Sequence, residues 1–248
     1  MTMDFDKIRE QYAKMEGGHK KTSGSGDFIN KFYAIPEGNS VVRVLPSNEE
    51  DKLFYAETAI HRVPTGEGQT RNFHCRKVHG EACPICDAYY ALWKAPYNDE
   101  NLARQIKPRA RYYMNIVNRE TDEVKIFSVG IILFKKIIST ILDEDYGDVT
   151  DLDEGHDFKL SKVMEGQWPK YDQSAFRPKA TAAGTKKQMA EWMDELHDIH
   201  SLVKLEEYDT FKQVADTLLI GKGTPERDPV DSPSTEVSDD DYLNRLKG

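Results

Sequence analysis

The sequence has few cysteines, no long apolar run and no internal repeat. Three cysteines among 248 residues cannot all pair within one chain, and their crowding argues against the disulfide framework of a secreted protein. The sequence has no run of eighteen apolar residues that could form a transmembrane helix, and its N-terminus carries charges where a signal peptide is apolar. These absences predict a protein of the reducing cytoplasm, without a membrane partner.

Common catalytic signatures are absent too. The sequence contains neither a P-loop nor a G-x-S-x-G motif. Segment 143–157 has eight acidic residues and no Lys or Arg, but it lacks the glycine and ligand spacing of an EF-hand, so a solvated surface is favoured. We therefore expect no enzyme.

Charge and composition divide the chain into three regions. The formal net charge is −9, but residues 224–248 alone carry seven acids against three bases, together with three prolines. Such a segment has too few apolar groups to offset the entropy of ordering. We predict an N-terminal helical arm with a flexible linker (1–26), one core (27–221) and a disordered acidic tail (222–248).

The core is predicted to be mainly β with added helices. Runs 41–46, 53–60, 112–117 and 124–130 are β-rich, and the last two flank a polar hexapeptide, which indicates a hairpin. Apolar residues at helical spacing predict three helices. Their apolar stripes are Phe134, Ile137, Ile138, Ile141 and Leu142; Met189, Trp192, Met193, Leu196, Ile199 and Val203; and Tyr208, Phe211, Ala215 and Leu218.

All three cysteines lie within twelve residues, as Cys75, Cys83 and Cys86. The Cys-x-x-Cys spacing lets two thiolates reach one tetrahedral ion from a turn that leads into a helix, and the third cysteine adds another sulfur. This pattern predicts a structural zinc ion. A thiol redox pair and buried, unreactive cysteines are the alternatives.

Zinc needs a fourth ligand, for which three histidines are available. His74 adjoins Cys75 and points away from it in an extended segment, and His79 would have to fold back within a short loop. His61 ends an apolar strand, and the segment between His61 and Cys75 has an ordinary length for a loop between two zinc ligands. We therefore favour His61.

Glu81, two residues after His79 and just before the Cys-x-x-Cys pair, is similar to part of the zinc deaminase signature. The spacing excludes that reading, because a single residue separates Glu81 from Cys83. Three cysteines and one histidine also leave no open position for a catalytic water. A metal-dependent nucleic-acid enzyme is therefore the weakest alternative.

Basic residues alternate with aromatic residues in two segments. Segment 103–117 has no acid and runs into Tyr112 and Tyr113, which strand alternation places on opposite faces; Phe127 lies across the predicted hairpin. Segment 167–176 is expected to be a loop. Cations that follow a phosphate backbone, beside rings that stack on bases, are the components of a single-strand groove. The cations and rings in question are Arg104, Lys107, Arg109 and Arg111 in the first segment, and Trp168, Lys170, Tyr171 and Phe176 in the second.

A series of motifs spans roughly residues 28–215. In chain order they are VVRVLPS, a strand ending in His61, the cluster ending in CPIC, KPRARYYMNIV, VKIFSVG, a helix with FKKI, and WPKYDQSAF. In order and approximate spacing the series resembles the single-stranded DNA-binding, helix-destabilising protein family of T-even bacteriophages, the product of gene thirty-two. The resemblance implies an OB-type β-barrel with an inserted zinc subdomain (about 61–94). It also implies an N-terminal arm for self-association and an acidic tail for partner binding.

The resemblance carries specific residues as well. The implied zinc ligands are His61, Cys75, Cys83 and Cys86, whereas His79 matches a histidine that binds no metal. The implied DNA-contacting residues are Arg43, Tyr97, Lys107, Arg109, Arg111, Tyr112, Phe127, Trp168 and Tyr171. A basic motif that the family has at its extreme N-terminus is missing from MTMDFDKIRE.

The function implied is binding of single-stranded DNA with little sequence preference, during viral DNA replication, recombination and repair in the cytoplasm of an infected bacterial cell. Implied protein partners are a polymerase, a helicase loader and a recombinase mediator, recruited by the acidic tail. The competing hypothesis is a zinc-stabilised scaffold whose acidic surfaces bind basic proteins and whose aromatic residues are mostly core.

Overall fold

A computed structural model describes residues 28–49, 51–66 and 68–220. The predicted arm (1–26) and acidic tail (222–248) lie outside the described residues. Within the described ranges, no helix combines the length and apolar character needed to cross a membrane.

The described chain is built around an antiparallel sheet. Its central strands follow the order β3-β2-β4-β1-β6-β7, while β5 pairs with β4 and β8 pairs with β6. The strands are β1 (Gly38–Val44), β2 (Tyr55–Gly66), β3 (Gln69–His74), β4 (Arg109–Asn118), β5 (Val124–Val129), β6 (Asp157–Glu165), β7 (Trp168–Lys170) and β8 (Ala175–Phe176).

Strand β4 makes the sheet curl. Its first half pairs with β2 and its last residues pair with β1, while β5 pairs with residues 112–117. A strand has only two edges, so β2 and β1 follow one another along one edge of β4 and β5 occupies the other. The predicted β4–β5 hairpin is confirmed, with Tyr112 opposite Val129.

After β1, the described chain contains five α-helices and two short 3-10 helices. They are a 3-10 helix (Arg76–His79), α1 (Pro84–Ala91), α2 (Glu100–Ile106), α3 (Ile131–Ile141), α4 (Lys186–Asp194), a second 3-10 helix (His200–Leu202) and α5 (Tyr208–Leu219). The fold class predicted as mainly β with added helices is confirmed.

Three local predictions were wrong. The apolar stripe from residue 189 to 203 is not one helix, because α4 ends at Asp194 and the backbone of His197 bonds the side chain of Asn115 instead. Segment 167–176 is not a continuous loop, since residues 168–170 form β7 and residues 175–176 form β8, both paired with β6. Leu142 and Tyr208 are not on the buried faces of their helices: Leu142 lies just beyond the end of α3, and Tyr208 is the first residue of α5, so both are exposed.

Two separate apolar clusters position the candidate sites. The main core lies between the curled sheet and α3, and it takes alternate residues of β4 such as Met114 and Ile116. The second core lies under the β2–β3 hairpin, where α1, α2 and α5 pack together. We call this second unit the metal lobe, because it holds the cysteine cluster.

Candidate metal centre and nucleic-acid interface

The predicted metal ligands come from three different elements. His61 lies in the middle of β2, opposite Phe73 of β3. Cys75 follows β3 directly, and its backbone N–H donates to the carbonyl of Ala59 across the hairpin at 2.7 Å. Cys83 caps the N-terminus of α1, whose first turn contains Cys86. The hairpin and the helix thereby bring the four side chains to one point.

The four ligand atoms form a compact, buried group. The Nε2 atom of His61 lies 3.6 Å from Cys83 Sγ and 3.5 Å from Cys86 Sγ. Cys75 Sγ lies 3.9 Å from Cys83 Sγ and 3.5 Å from Cys86 Sγ. All four ligand atoms are within 4.8 Å of one another. A group of this composition can hold a metal ion.

Neighbouring groups orient the imidazole and favour thiolate. The other ring nitrogen of His61, Nδ1, lies 2.7 Å from the carbonyl oxygen of Ile106, which leaves Nε2 facing the sulfur atoms. Burial lowers the pKa of His61, but hydrogen bonds with Cys75 and Cys83 outweigh it and raise the pKa to about 9. Hydrogen bonds with Cys75 and Cys86 lower the pKa of Cys83, whereas hydrogen bonds with Cys75 and Cys83 raise the pKa of Cys86, so the thiolate is favoured at Cys83. The N-terminus of α1 adds a favourable dipole.

The two other candidate histidines lie outside this group. His74 Nδ1 is 3.0 Å from the hydroxyl of Thr58, and His79 is exposed in the 3-10 helix. The structure therefore brings together the four predicted ligands and leaves out the histidines that chain geometry disfavoured.

A feature that sequence reasoning missed is how α5 closes the metal lobe. Phe211 of α5 is fully buried and meets the ring of Phe73 edge to face at 5.4 Å. Arg76 links the residues just before α5 to the loop between Cys75 and Cys83. Its guanidinium donates hydrogen bonds to the carbonyls of Glu206 and Ala82. The apolar periodicity of α5 indicated a buried face, but it could not indicate which surface that face covers.

Three of the predicted DNA-contacting residues are exposed. Lys107 and Arg109 lie on the surface between α2 and β4. Trp168 begins β7, at the turn of the β6–β7 hairpin, and 69% of its surface is exposed. A large ring left in solvent is available to stack on a base.

Arg111 and Tyr171 are partly buried members of the two basic and aromatic segments. Tyr171 and Ala110, the neighbour of Arg111, both pack against the main core. The guanidinium of Arg111 lies over Gly130, 4.0 Å from where a Cβ atom would stand. Burial raises the pKa of Tyr171, while the positive charge of Arg111 opposes this shift, so the two side chains are close enough to interact electrostatically. Tyr97 is half-buried against the metal lobe.

The structure corrects the stacking roles predicted for Tyr112 and Phe127. Phe127 is fully buried in the main core, edge to face with Tyr33 at 6.0 Å. Tyr112 is stacked on Phe134, with ring centroids 3.6 Å apart, and its hydroxyl donates to Glu57 at 3.0 Å. Burial, followed by the hydrogen bond to Glu57, raises the pKa of Tyr112 to about 12. Neither ring face is open to a nucleotide base.

The phosphate contact predicted for Arg43 is corrected for the same reason. Arg43 is 0% exposed, and its Nε atom donates to Asp157 at 3.0 Å. Its remaining nitrogens donate to the carbonyls of Asp151 and Thr181 and to the hydroxyl of Thr181. The guanidinium thus joins β1 to the acidic segment and to the segment that precedes α4, and it cannot reach a phosphate.

Comparison with known families agrees with the sequence resemblance. A family model described as "gp32 DNA binding protein like" matches residues 36–219. No curated protein matches the chain. The matched range contains the curled sheet, all four cluster residues and every predicted DNA-contacting residue. On this match over most of its length, the chain belongs to the gp32-like family of DNA-binding proteins.

Proposed function

We propose that the protein binds single-stranded DNA with little sequence preference. The contacts are made by a basic–aromatic surface, which consists of Lys107, Arg109, Arg111, Trp168 and Tyr171, with Tyr97 at the edge of the metal lobe. The observation that carries the proposal is the exposure of Lys107 and Arg109 at the start of β4 and of Trp168 in β7, because these cations and this ring are open to a bound strand. Membership of a DNA-binding family supports the same conclusion.

Single strands are the better substrate for physical reasons. Exposed rings stack on bases, and each stacked base contributes about 1–3 kcal/mol, but the bases of a duplex are already stacked and paired. A protein that binds only the open strands lowers duplex stability by mass action. The proposal therefore includes destabilisation of the duplex.

We propose zinc as the ion held by His61, Cys75, Cys83 and Cys86. A tetrahedral zinc ion with ordinary bond lengths separates two sulfur ligands by about 3.8 Å and a sulfur from an imidazole nitrogen by about 3.6 Å. The sulfur–sulfur distances of 3.5 and 3.9 Å and the sulfur–nitrogen distances of 3.5 and 3.6 Å agree with these values. Four protein ligands complete the coordination sphere, so the ion holds the lobe together.

The finer assignments follow the family. We propose that the curled sheet is an OB-type barrel. We also propose that the protein acts in viral DNA replication, recombination and repair in the host cytoplasm. The arm (1–26) would mediate self-association. The acidic tail (222–248) would recruit a polymerase, a helicase loader and a recombinase mediator. Its sequence supports a second role, since seven acids make it an electrostatic competitor for a basic surface.

Replacing Lys107 and Arg109 together with alanine tests the basic–aromatic surface. We expect affinity for fluorescent oligo-dT to fall at least about tenfold near 0.1 M salt, and the negative slope of log K against log salt to become shallower by about 1.4. Lys187→Ala is the control, because this exposed lysine lies on α4 and its Nζ is 3.7 Å from Glu191. An equal loss in the control would refute the assigned surface. No saturable binding by the natural sequence would favour the scaffold hypothesis instead.

Truncation after Gly223 tests the tail as a competitor. We expect tighter binding of oligo-dT at low salt, because the acids that compete for the cations are removed, and weaker recruitment of protein partners. The difference in DNA affinity should shrink as salt rises. Equal affinities of full-length and truncated protein at low salt would contradict the competition.

A further inference from the structure

A group of aromatic side chains lies at the C-terminal end of α1, on the metal lobe. Tyr89 is half-buried against the second core and meets Tyr90 at 4.9 Å and Trp93 at 6.2 Å, in both cases edge to face. Tyr90 is 46% exposed and Trp93 is 38% exposed. One ring therefore anchors the group, and two present surface to solvent.

Cations accompany the two exposed rings. The guanidinium carbon of Arg104 lies 5.7 Å from the centroid of Trp93, and the Nζ atom of Lys77 lies 5.7 Å from the centroid of Tyr90. Arg104 also pairs with Glu100 at 2.9 Å, with both side chains more than half exposed. An exposed pair of this kind is weak, so a phosphate group can replace the carboxylate.

Arg104 is also the first cation of the run that leads to the basic–aromatic surface. Helix α2 ends at Ile106, Lys107 turns the chain into an extended conformation, and Arg109 begins β4. The seven residue steps from Arg104 to Arg111 span less than about 25 Å. A run of cations thus leads from the ring of Trp93 to Arg111 in β4.

We propose that Trp93, with Arg104 beside it, is a further base-stacking position, which extends the basic–aromatic surface onto the metal lobe. A bound strand then follows the cations and is stacked at both ends of the run. The inference rests on the proposed single-strand binding and assigns a new contact within it. It also gives the proposed metal a role in binding, because the cluster residues Cys83 and Cys86 lie at the start of α1, and Trp93 lies two residues beyond the end of that helix.

Tryptophan fluorescence tests the contact directly. The described chain contains Trp93, Trp168 and Trp192; the last is buried, and its indole N–H donates to the carbonyl of Asp122 at 2.9 Å. In Trp168→Phe we expect saturating oligo-dT to quench part of the remaining emission. In a protein with both Trp93→Phe and Trp168→Phe we expect no quenching. Equal quenching of the two variants, or none in Trp168→Phe, would overturn the inference.

Affinity provides the second measurement. We expect Trp93→Ala to weaken oligo-dT binding about five- to fiftyfold, and Trp93→Phe, which keeps a ring, to restore most of the loss. Tyr208→Ala is the matched control, because Tyr208 is 42% exposed with Arg76 5.8 Å from its ring but lies on α5, away from the cation run. Zinc content of each variant is determined on the same sample.

The outcomes separate the two proposals. Failure of the natural sequence to bind oligo-dT overturns the proposed function and this contact with it. Binding by the natural sequence that Trp93→Ala leaves unchanged overturns the contact alone. An equal loss in Tyr208→Ala also overturns the contact, since it shows a general loosening of the lobe.

Discussion

If the proposed zinc site is correct, replacing Cys83 with alanine is expected to abolish stoichiometric zinc binding and to lower the melting temperature by about 10 °C or more. The three remaining ligands leave one coordination position of a tetrahedral ion without a protein ligand. The second core also depends on these residues, because Cys75, Cys83 and Cys86 are among its buried members. The free energy of metal binding is also folding free energy, because the unfolded chain holds no such site. Zinc content and thermal unfolding measure the effect, and a strong chelator should reproduce it.

His79→Ala is the matched control for this prediction. His79 lies in the same short loop, between Cys75 and Cys83, but it is exposed and outside the ligand group. We expect the variant to keep one zinc ion and to melt within about 3 °C of the natural sequence. Purified natural protein without bound metal, or equal metal loss in both variants, would contradict the assigned ligand set.

Replacing Asp157 with asparagine is expected to lower the free energy of unfolding by about 3–5 kcal/mol, because a buried arginine loses its counter-charge. The carboxylate receives Arg43 Nε at 3.0 Å and Arg119 Nη2 at 2.7 Å. Burial lowers the pKa of Arg43, and the negative charge of Asp157 is the largest effect that opposes this shift. Urea unfolding monitored by circular dichroism measures the change.

Arg177→Ala is the control for this ion-pair network. Arg177 is more than half exposed, and its nearest nitrogen is 3.8 Å from Asp157. We expect a loss below about 1 kcal/mol, as for other exposed pairs. Oligo-dT affinity of the folded Asp157→Asn protein should remain unchanged, because the network is structural. A large loss of affinity without a loss of stability would restore the binding role that the sequence resemblance implied for Arg43.

Local spacing was sufficient to predict the four residues that form the candidate metal centre. Two cysteines separated by two residues, at a turn into a helix, point to a common centre wherever that turn lies in the fold. His61 followed from the length of the segment up to Cys75, although His61 lies in the middle of β2 and not at the end of a strand as predicted, and most of the segment is a β-hairpin. The β4–β5 hairpin followed in the same way from alternation around a short polar turn. Features that depend on residues close together in the chain can therefore be predicted from the sequence.

The basic–aromatic surface was predicted only in part. Alternation correctly placed Tyr112 and Tyr113 on opposite faces of β4, but both rings are buried, one in the main core and one in a smaller cluster with Ile126 and Ile199. Strand periodicity indicates which residues share a face, but it does not indicate whether another element covers that face. Helix α3 supplies Phe134, which takes the face of Tyr112 that a base would need.

The sequence by itself determined the class of fold, the four residues of the candidate metal centre and the positions of the basic segments, because each depends on composition or on spacing along the chain. Only the tertiary structure decided which rings and cations are available: Trp168 is exposed, Phe127 is buried, and Arg43 is bound by Asp157. Burial depends on which distant segments pack together. A residue of suitable type becomes a binding residue only where that packing leaves it in solvent.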